Sequence, residues 1–434
     1  MLLPPRRYRR VALILSAICV FLIYRFWSHD SRPRYEPLPH EQERGIPRPE
    51  CPPLPGMEDV LVVMKTGVTE ALDKVPVHFQ TSFRCVPNYV IFSDFEEDIA
   101  GVRVRDALRN MDPEVKRTIP DFDIYNRIQK MGRDGLGGGD FADEANSAIG
   151  KPNNPGWKLD KWKFLPMVQE TLKYKSDAKW YVFMEADTYF FWPNLLAWLK
   201  TFDHNKPLYI GTETQIADVI FAHGGSGFIV SNPAMQLAAN EYATRTSELN
   251  TYTDHHWAGD CVLGKVLSDT GVGLYYSWPL LQNSNLGELD EFNTDLYRKP
   301  WCFPAIALHH LTNEDIKDLW QFERQRWLYL GKTLLLHGEI FIERILPELR
   351  SYRDNWDNLA GGDPKATDVS FEDCHDLCES VSTCTQFALE DGKCFIGKGP
   401  KLGIPKQGTQ SGWLMGRIQK LVAESKTCSK PQFS

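Results

Sequence analysis

The sequence predicts an α/β protein built on a parallel sheet, followed by a small disulfide-rich unit. Three observations carry this. Val60-Leu61-Val62-Val63-Met64 and Tyr89-Val90-Ile91-Phe92 are short continuous apolar runs, the pattern of strands buried on both faces. Between them residues 69–83 can form an amphipathic helix, giving the strand, helix, strand order of a parallel unit. Far downstream, Cys374, Cys378, Cys384 and Cys394 crowd together at the density of a disulfide-stapled module. Zinc is the rival reading there, but paired C-x-x-C units are missing.

A chain of 434 residues, 42% of them hydrophobic, can bury a large core and suggests two or three folded units. Its net charge of -8 offers no general basic surface, so no nucleic-acid partner is expected. The basic residues that stand out are Arg6, Arg7, Arg9 and Arg10, directly before an apolar run from Val11 to Tyr24. A signal peptide begins this way, but no persuasive small-x-small cleavage site precedes Tyr35. A buried helix would not usually be N-terminal, Arg-flanked and followed by prolines. The reading is a short membrane anchor over 11–27, with 1–10 cytoplasmic and everything beyond lumenal. That makes a single-pass type II protein of the Golgi or endoplasmic reticulum membrane. Residues 28–58 are Pro-rich and charged, as in an extended stem. Of ten cysteines, all but Cys19 lie beyond the anchor, an odd number. At least one is therefore free or pairs between chains, as in a homodimer.

The body is read as 59–352. Ligands of parallel sheets sit at the C-terminal ends of strands, which makes Lys65-Thr66 and Ser93-Asp94 candidate nucleotide contacts. A stretch rich in Gly, Asn and Asp over 132–156 lacks the Lys-Ser/Thr of a phosphate loop and reads as a mobile surface loop. A helix opening near Asp160 leads to a central strand, Trp180-Tyr181-Val182-Phe183-Met184. Further apolar runs lie at 208–210 and 228–230, with helical patterns over 260–267 and 316–336. A linker is expected at 353–364, the Cys-rich module at 365–420 and a tail at 421–434.

The central strand ends in Glu185-Ala186-Asp187. Two carboxylates one residue apart, just beyond a buried strand, suit a hard divalent cation such as Mn²⁺ or Mg²⁺ that keeps positions open for phosphate oxygens. Such a cation stabilises charge developing on a departing diphosphate. E-x-D triplets are common at solvated strand ends, so the context matters: an apolar strand before, then Thr188-Tyr189-Phe190-Phe191 after.

Glu185-Ala186-Asp187-Thr188-Tyr189, Gly224-Gly225-Ser226-Gly227-Phe228-Ile229-Val230-Ser231 and Asp260-Cys261-Val262-Leu263-Gly264-Lys265 follow one another in that order. Together they resemble the signature stretches of glycosyltransferase family 31, the fringe and core-1 β1,3-galactosyltransferase group, most nearly its filamentous-fungal members. The resemblance spans roughly 59–311. It implies a GT-A, Rossmann-like domain that uses a UDP-sugar and Mn²⁺ to transfer a hexose, with inversion, to a glycan or glycoprotein. The family's metal-binding acid falls on Asp187. Its other ligand, a late histidine, falls on His309 within Ile306-Ala307-Leu308-His309-His310; adjacent strand residues face opposite ways, so only one histidine serves. Glu185 stands where the family usually has Asp, in a ribose or water-mediated role. The general base falls on Asp260, with Gly259 replacing a Glu; a helix cap is the structural reading of Asp260. Met64, Thr66 and Asp94 fall where relatives hold uridine, and Gly225 and Ser226 where backbone approaches the donor sugar. Trp257 offers a ring face to a sugar. Cys374, Cys378, Cys384 and Cys394, with Gln386-Phe387 and Gly412-Trp413, resemble a PAN/apple module, with Cys374–Cys394 and Cys378–Cys384 as the expected pairs. The altered triplet also motivates an alternative, an inactive lectin-like or adhesion protein on the same fold.

Overall fold

β1 (Val60–Lys65) is buried along its whole length because it has a neighbour on each side and packing on each face. Alternate residues serve two cores: Val60, Val62 and Met64 enter one, Leu61 and Val63 the other. The computed structural model describes residues 51–141, 151, 153–293, 298–425 and 428–433. The expected cytoplasmic tail, the anchor and most of the stem lie outside the described residues. Among the described residues, no helix is long and apolar enough to cross a membrane.

The remaining strands of the body are β2 (Tyr89–Ser93), β3 (Glu97–Ile99), β4 (Val102–Asp106), β5 (Trp180–Glu185), β6 (Tyr189–Phe190), β7 (Tyr209–Gly211), β8 (Glu213–Ile216), β9 (Val219–Ala222), β10 (Phe228–Ser231), β11 (Leu274–Tyr276) and β12 (Ala307–Leu308). Eight form one sheet in the order β11-β7-β10-β5-β1-β2-β4-β3. β5, β1, β2 and β4 run parallel, so their carboxyl ends share one edge. The β1–β5 register sets Lys65 opposite Glu185. Helices Phe164–Tyr174, Asn232–Thr244 and Gly259–Asp269 bury apolar residues against one face. The fold is thus mixed α/β with a large, parallel-rich sheet.

Several expectations change. Residues 69–83 are not one helix but Ala71–Lys74 and Pro76–Gln80, followed by a 3-10 turn that begins at Ser82. Pro76 starts the second piece, since it has no N–H to continue the first. Of the stretch expected as a loop over 132–156, the first part holds two 3-10 turns, Gly132–Gly135 and Gly138–Phe141, pinned by Arg127 to Asp140 at 2.8 Å, while 142–150 and 152 lie outside the described residues.

The first part of the expected linker, 353–364, is a strand. β13 (Arg353–Asp357) joins β14 (Ala366–Thr367), β15 (Gln386–Glu390), β16 (Lys393–Gly397) and β17 (Ile404–Trp413) in a five-stranded sheet. The expected tail is also structured: a helix runs from Met415 to Glu424, and Cys428 pairs with Cys302. Trp413 and Ile418 share a core with Trp301 and Phe341 of the body. Cys374–Cys394 and Cys378–Cys384 pair as expected, and Cys51–Cys85 adds a fourth bridge. The odd cysteine is Cys261, free but buried.

Candidate active site

The end of β5 is a tight turn. Thr188 N–H donates to the Glu185 carbonyl at 3.1 Å, and Glu185 N–H to Thr188 Oγ1 at 3.3 Å. Thr188 Oγ1 in turn donates to the Gly225 carbonyl at 2.8 Å, tying this turn to the glycine-rich one. His78 Nε2 meets the Ala186 carbonyl at 2.8 Å; since that oxygen can only accept, Nε2 carries the hydrogen. Burial pushes His78 down to about 4, so the ring is neutral.

Asp187 therefore leaves the turn in a fixed direction. Its Oδ1 lies 3.1 Å from His309 Nε2 and its Oδ2 3.0 Å from Lys74 Nζ. Burial opposes its charge, but the His309 and Lys74 contacts outweigh it and hold the carboxyl well below the usual range. His309 arrives because β12 pairs antiparallel with β6, Leu308 opposite Tyr189. Asn283 Oδ1, 2.7 Å from His309 Nδ1, accepts its hydrogen and leaves Nε2 aimed at Asp187. His310 departs from strand alternation. β12 ends at Leu308, and His310 adopts a left-handed backbone with φ 56°, its ring centroid 4.0 Å from that of His309 and tilted by 34°. Asp187, His309 and His310 each present a ligand atom within 4.8 Å of the others. One carboxylate and imidazole nitrogens, oriented from behind, form a donor set that fits a borderline divalent cation with open positions.

Glu185 is otherwise engaged. Its Oε1 pairs with Lys65 Nζ at 3.1 Å, and its Oε2 stands 3.9 Å from His309 Nε2. Lys65 also binds Asp160 at 2.5 Å, Asp160 binds Lys163 at 3.2 Å, and Lys163 binds Asp94 at 3.2 Å. Alternating charges thus run from Asp94 to Glu185 beneath the cleft. Burial alone would lower Lys65, yet the two carboxylates raise it above the usual lysine range.

The glycine turn joins Asp187 and His309 to a second carboxylate. Gly224 N–H donates to Asp260 Oδ2 at 2.8 Å. A Cβ on Gly225 would lie 2.0 Å from His309 Cε1, so the ring packs directly on bare backbone. Asp260 sits in the first turn of helix Gly259–Asp269, whose N-cap is Ala258 rather than Asp260. Burial, reinforced by Glu185, pushes Asp260 up to about 6 despite the Gly224 and Cys261 amides. Gly259 has no room for a Glu: a Cβ there would come within 2.4 Å of Phe164 and 2.6 Å of the Lys161 carbonyl.

Glu185, Asp187, Gly225, Asp260 and His309 line one cleft of about 500 Å³. Four expected contacts do not. Met64 is buried in the core, on the strand face opposite to Lys65's. Thr66 is buried, its carbonyl accepting from Lys163 and its hydroxyl donating to Glu70. Asp94 is buried against the Val68 amide and Lys163. Ser226 is buried beside His223, with Oγ 3.2 Å from Nδ1. Lys65, Gly67, Thr69 and Glu70 line the cleft on that side instead. His223 is a further addition. Burial pushes it down to about 4, and its Nδ1 accepts from the Ser226 amide, so Nε2–H is a neutral donor. Next to Asp260, Trp257 stacks with Trp157 at 6.1 Å between ring centroids, and both line the cleft. Lys65 was signalled by its strand-end position. Lys74, His78 and Asn283 lie outside any local motif.

Residues 163–315 match a family model described as Fringe-like. This part of the chain is therefore similar to glycosyltransferases of the fringe group, and the match includes Asp187, Asp260 and His309 but ends short of Lys65 and Lys74 on the N-terminal side. No curated protein matches the chain.

Proposed function

We propose that this chain is a divalent-metal-dependent glycosyltransferase that moves a hexose, with inversion and in β1,3 linkage, from a UDP-sugar to a glycan or glycoprotein. The observation that supports the reading is the Gly224-Gly225 turn: Gly224 N–H donates to Asp260, Gly225 packs on His309, and Asp187, Asp260 and His309 line one cleft. A cation such as Mn²⁺, held by Asp187 and His309 with His310 nearby, would supply the positive charge that stabilises the leaving diphosphate.

The chain's own groups do the rest. Asp260 takes the proton of the acceptor hydroxyl as that oxygen bonds to the anomeric carbon and the carbon–phosphate oxygen bond breaks, releasing UDP. Its raised affinity for a proton suits a base working near neutral pH. Trp257 and Trp157, beside Asp260, offer apolar ring faces to an acceptor sugar. Lys65 holds Glu185 in place, so Glu185 acts on donor hydroxyls or water rather than on the metal. The N-terminal anchor and a lumenal Golgi or endoplasmic reticulum location complete the proposal. Turnover of UDP-Gal, UDP-Glc, UDP-GlcNAc and UDP-GalNAc, with and without Mn²⁺, tests it. Mn²⁺-dependent release of UDP from one donor is expected; no turnover of any donor would favour the lectin-like alternative.

A further inference from the structure

Asp187 is held by two groups of different character. His309 is buried and fixed from behind by Asn283. Lys74 comes from the end of the short helix Ala71–Lys74, and its side chain is 32% exposed. Its ammonium lies 3.0 Å from Asp187 Oδ2 and 2.9 Å from Glu70 Oε2. Glu70 lines the cleft and is steadied by Thr66 Oγ1 at 3.3 Å. Two lysines that line the cleft differ: Lys65, which ends β1, and Lys163, which precedes helix Phe164–Tyr174. Lys65 and Lys163 are buried, and each is locked between two carboxylates of the chain that runs to Asp94.

A divalent cation on Asp187 meets the ammonium as a like charge a few ångströms away, in a site that screens poorly. Lys74 is the member of the cluster free to give way, because Glu70 keeps it partnered when it leaves Asp187. We propose that Lys74 is an exchange cation: it neutralises Asp187 before metal binds, yields to a divalent cation, and then pairs with the diphosphate of the donor. The inference rests on the metal-dependent reading above. It makes metal and nucleotide binding reinforce each other beyond what direct metal–phosphate contact provides.

Mn²⁺ binding to the full-length protein, followed by electron paramagnetic resonance with and without UDP, tests it. Lys74→Met should bind Mn²⁺ alone about tenfold more tightly than wild type, and should gain about tenfold less from UDP. Lys74→Gln, which keeps a donor without the charge, should behave like Lys74→Met, while Lys74→Arg should retain the wild-type pattern. Mn²⁺ affinity in Lys74→Met and Lys74→Gln equal to or weaker than wild type would overturn the proposal, as would an undiminished gain from UDP. A wild type that binds no Mn²⁺ in either condition would overturn the metal reading and this inference together, a result distinct from both.

Discussion

Asp187 and Asp260 are the same residue type on one cleft, yet their surroundings drive them in opposite directions. Asp187 has a ring nitrogen on one oxygen and an ammonium on the other, so it stays ionised. Asp260 is met by backbone amides and carries no ion pair of its own among the described residues; burial raises it to about 6. On the proposed reading, the cation-rich surroundings of Asp187 suit a ligand, and the dry, weakly compensated site of Asp260 suits a base. Two carboxylates pushed apart in this way divide electrostatic and proton-transfer work between them.

Breaking one side at a time should give different losses. Asp187→Asn is expected to reduce transfer by roughly a thousandfold, the scale of a lost metal contribution of several kcal/mol, in a Mn²⁺-saturation assay. Asp260→Asn should lower kcat by about a hundredfold or more while Mn²⁺ still binds, which steady-state kinetics and a metal titration separate. Gly225→Ala, which drives a methyl group into the His309 ring, should weaken Mn²⁺ by roughly tenfold to a hundredfold, the scale seen when ligand orientation is lost.

The pH dependence sharpens the same contrast. Asp260 must be ionised to accept a proton, so kcat/KM should rise with unit slope up to about pH 6 and then level. Stability should respond with opposite signs. The folded state binds the Asp260 proton more tightly than the unfolded chain does, so that contribution is full below the ordinary Asp value of about 4 and is lost as pH rises to about 6. Asp187 contributes above about pH 4 and loses its contribution as pH falls. Denaturation of Asp260→Asn and Asp187→Asn across pH 3–8 should each remove one of these slopes. Far from the cleft, Cys302→Ser should cost about 2–4 kcal/mol of stability through the lost bridge to Cys428, and leave the pH 6 midpoint of kcat/KM in place.

The parts written locally in the chain were legible. Continuous apolar runs marked β1, β2 and β5, and the glycine block and the acid-bearing helix start marked the two halves of the site. What pairing and packing decide was hidden. Lys65 reaches Glu185 through the β1–β5 register, and Met64, its neighbour, turns into the core because successive strand side chains face opposite ways. His310 joins His309 because β12 stops at Leu308, two residues short of the strand that alternation assumed. Lys74 and His78, from the segment read as one amphipathic helix, and Asn283, from a loop, converge on the β5 end through packing that no local pattern announces. The strand Arg353–Asp357 escaped notice because its sequence, Arg-Asp-Asn-Trp-Asp, lacks the apolar character of a buried strand.

The division of labour between the two aspartates is tested most directly by Mn²⁺ titration of wild type, Asp187→Asn and Asp260→Asn under one set of conditions. Wild type and Asp260→Asn should bind the ion with similar affinity, and Asp187→Asn should not bind it measurably. Retained binding in Asp187→Asn, or its loss in Asp260→Asn, would contradict the account.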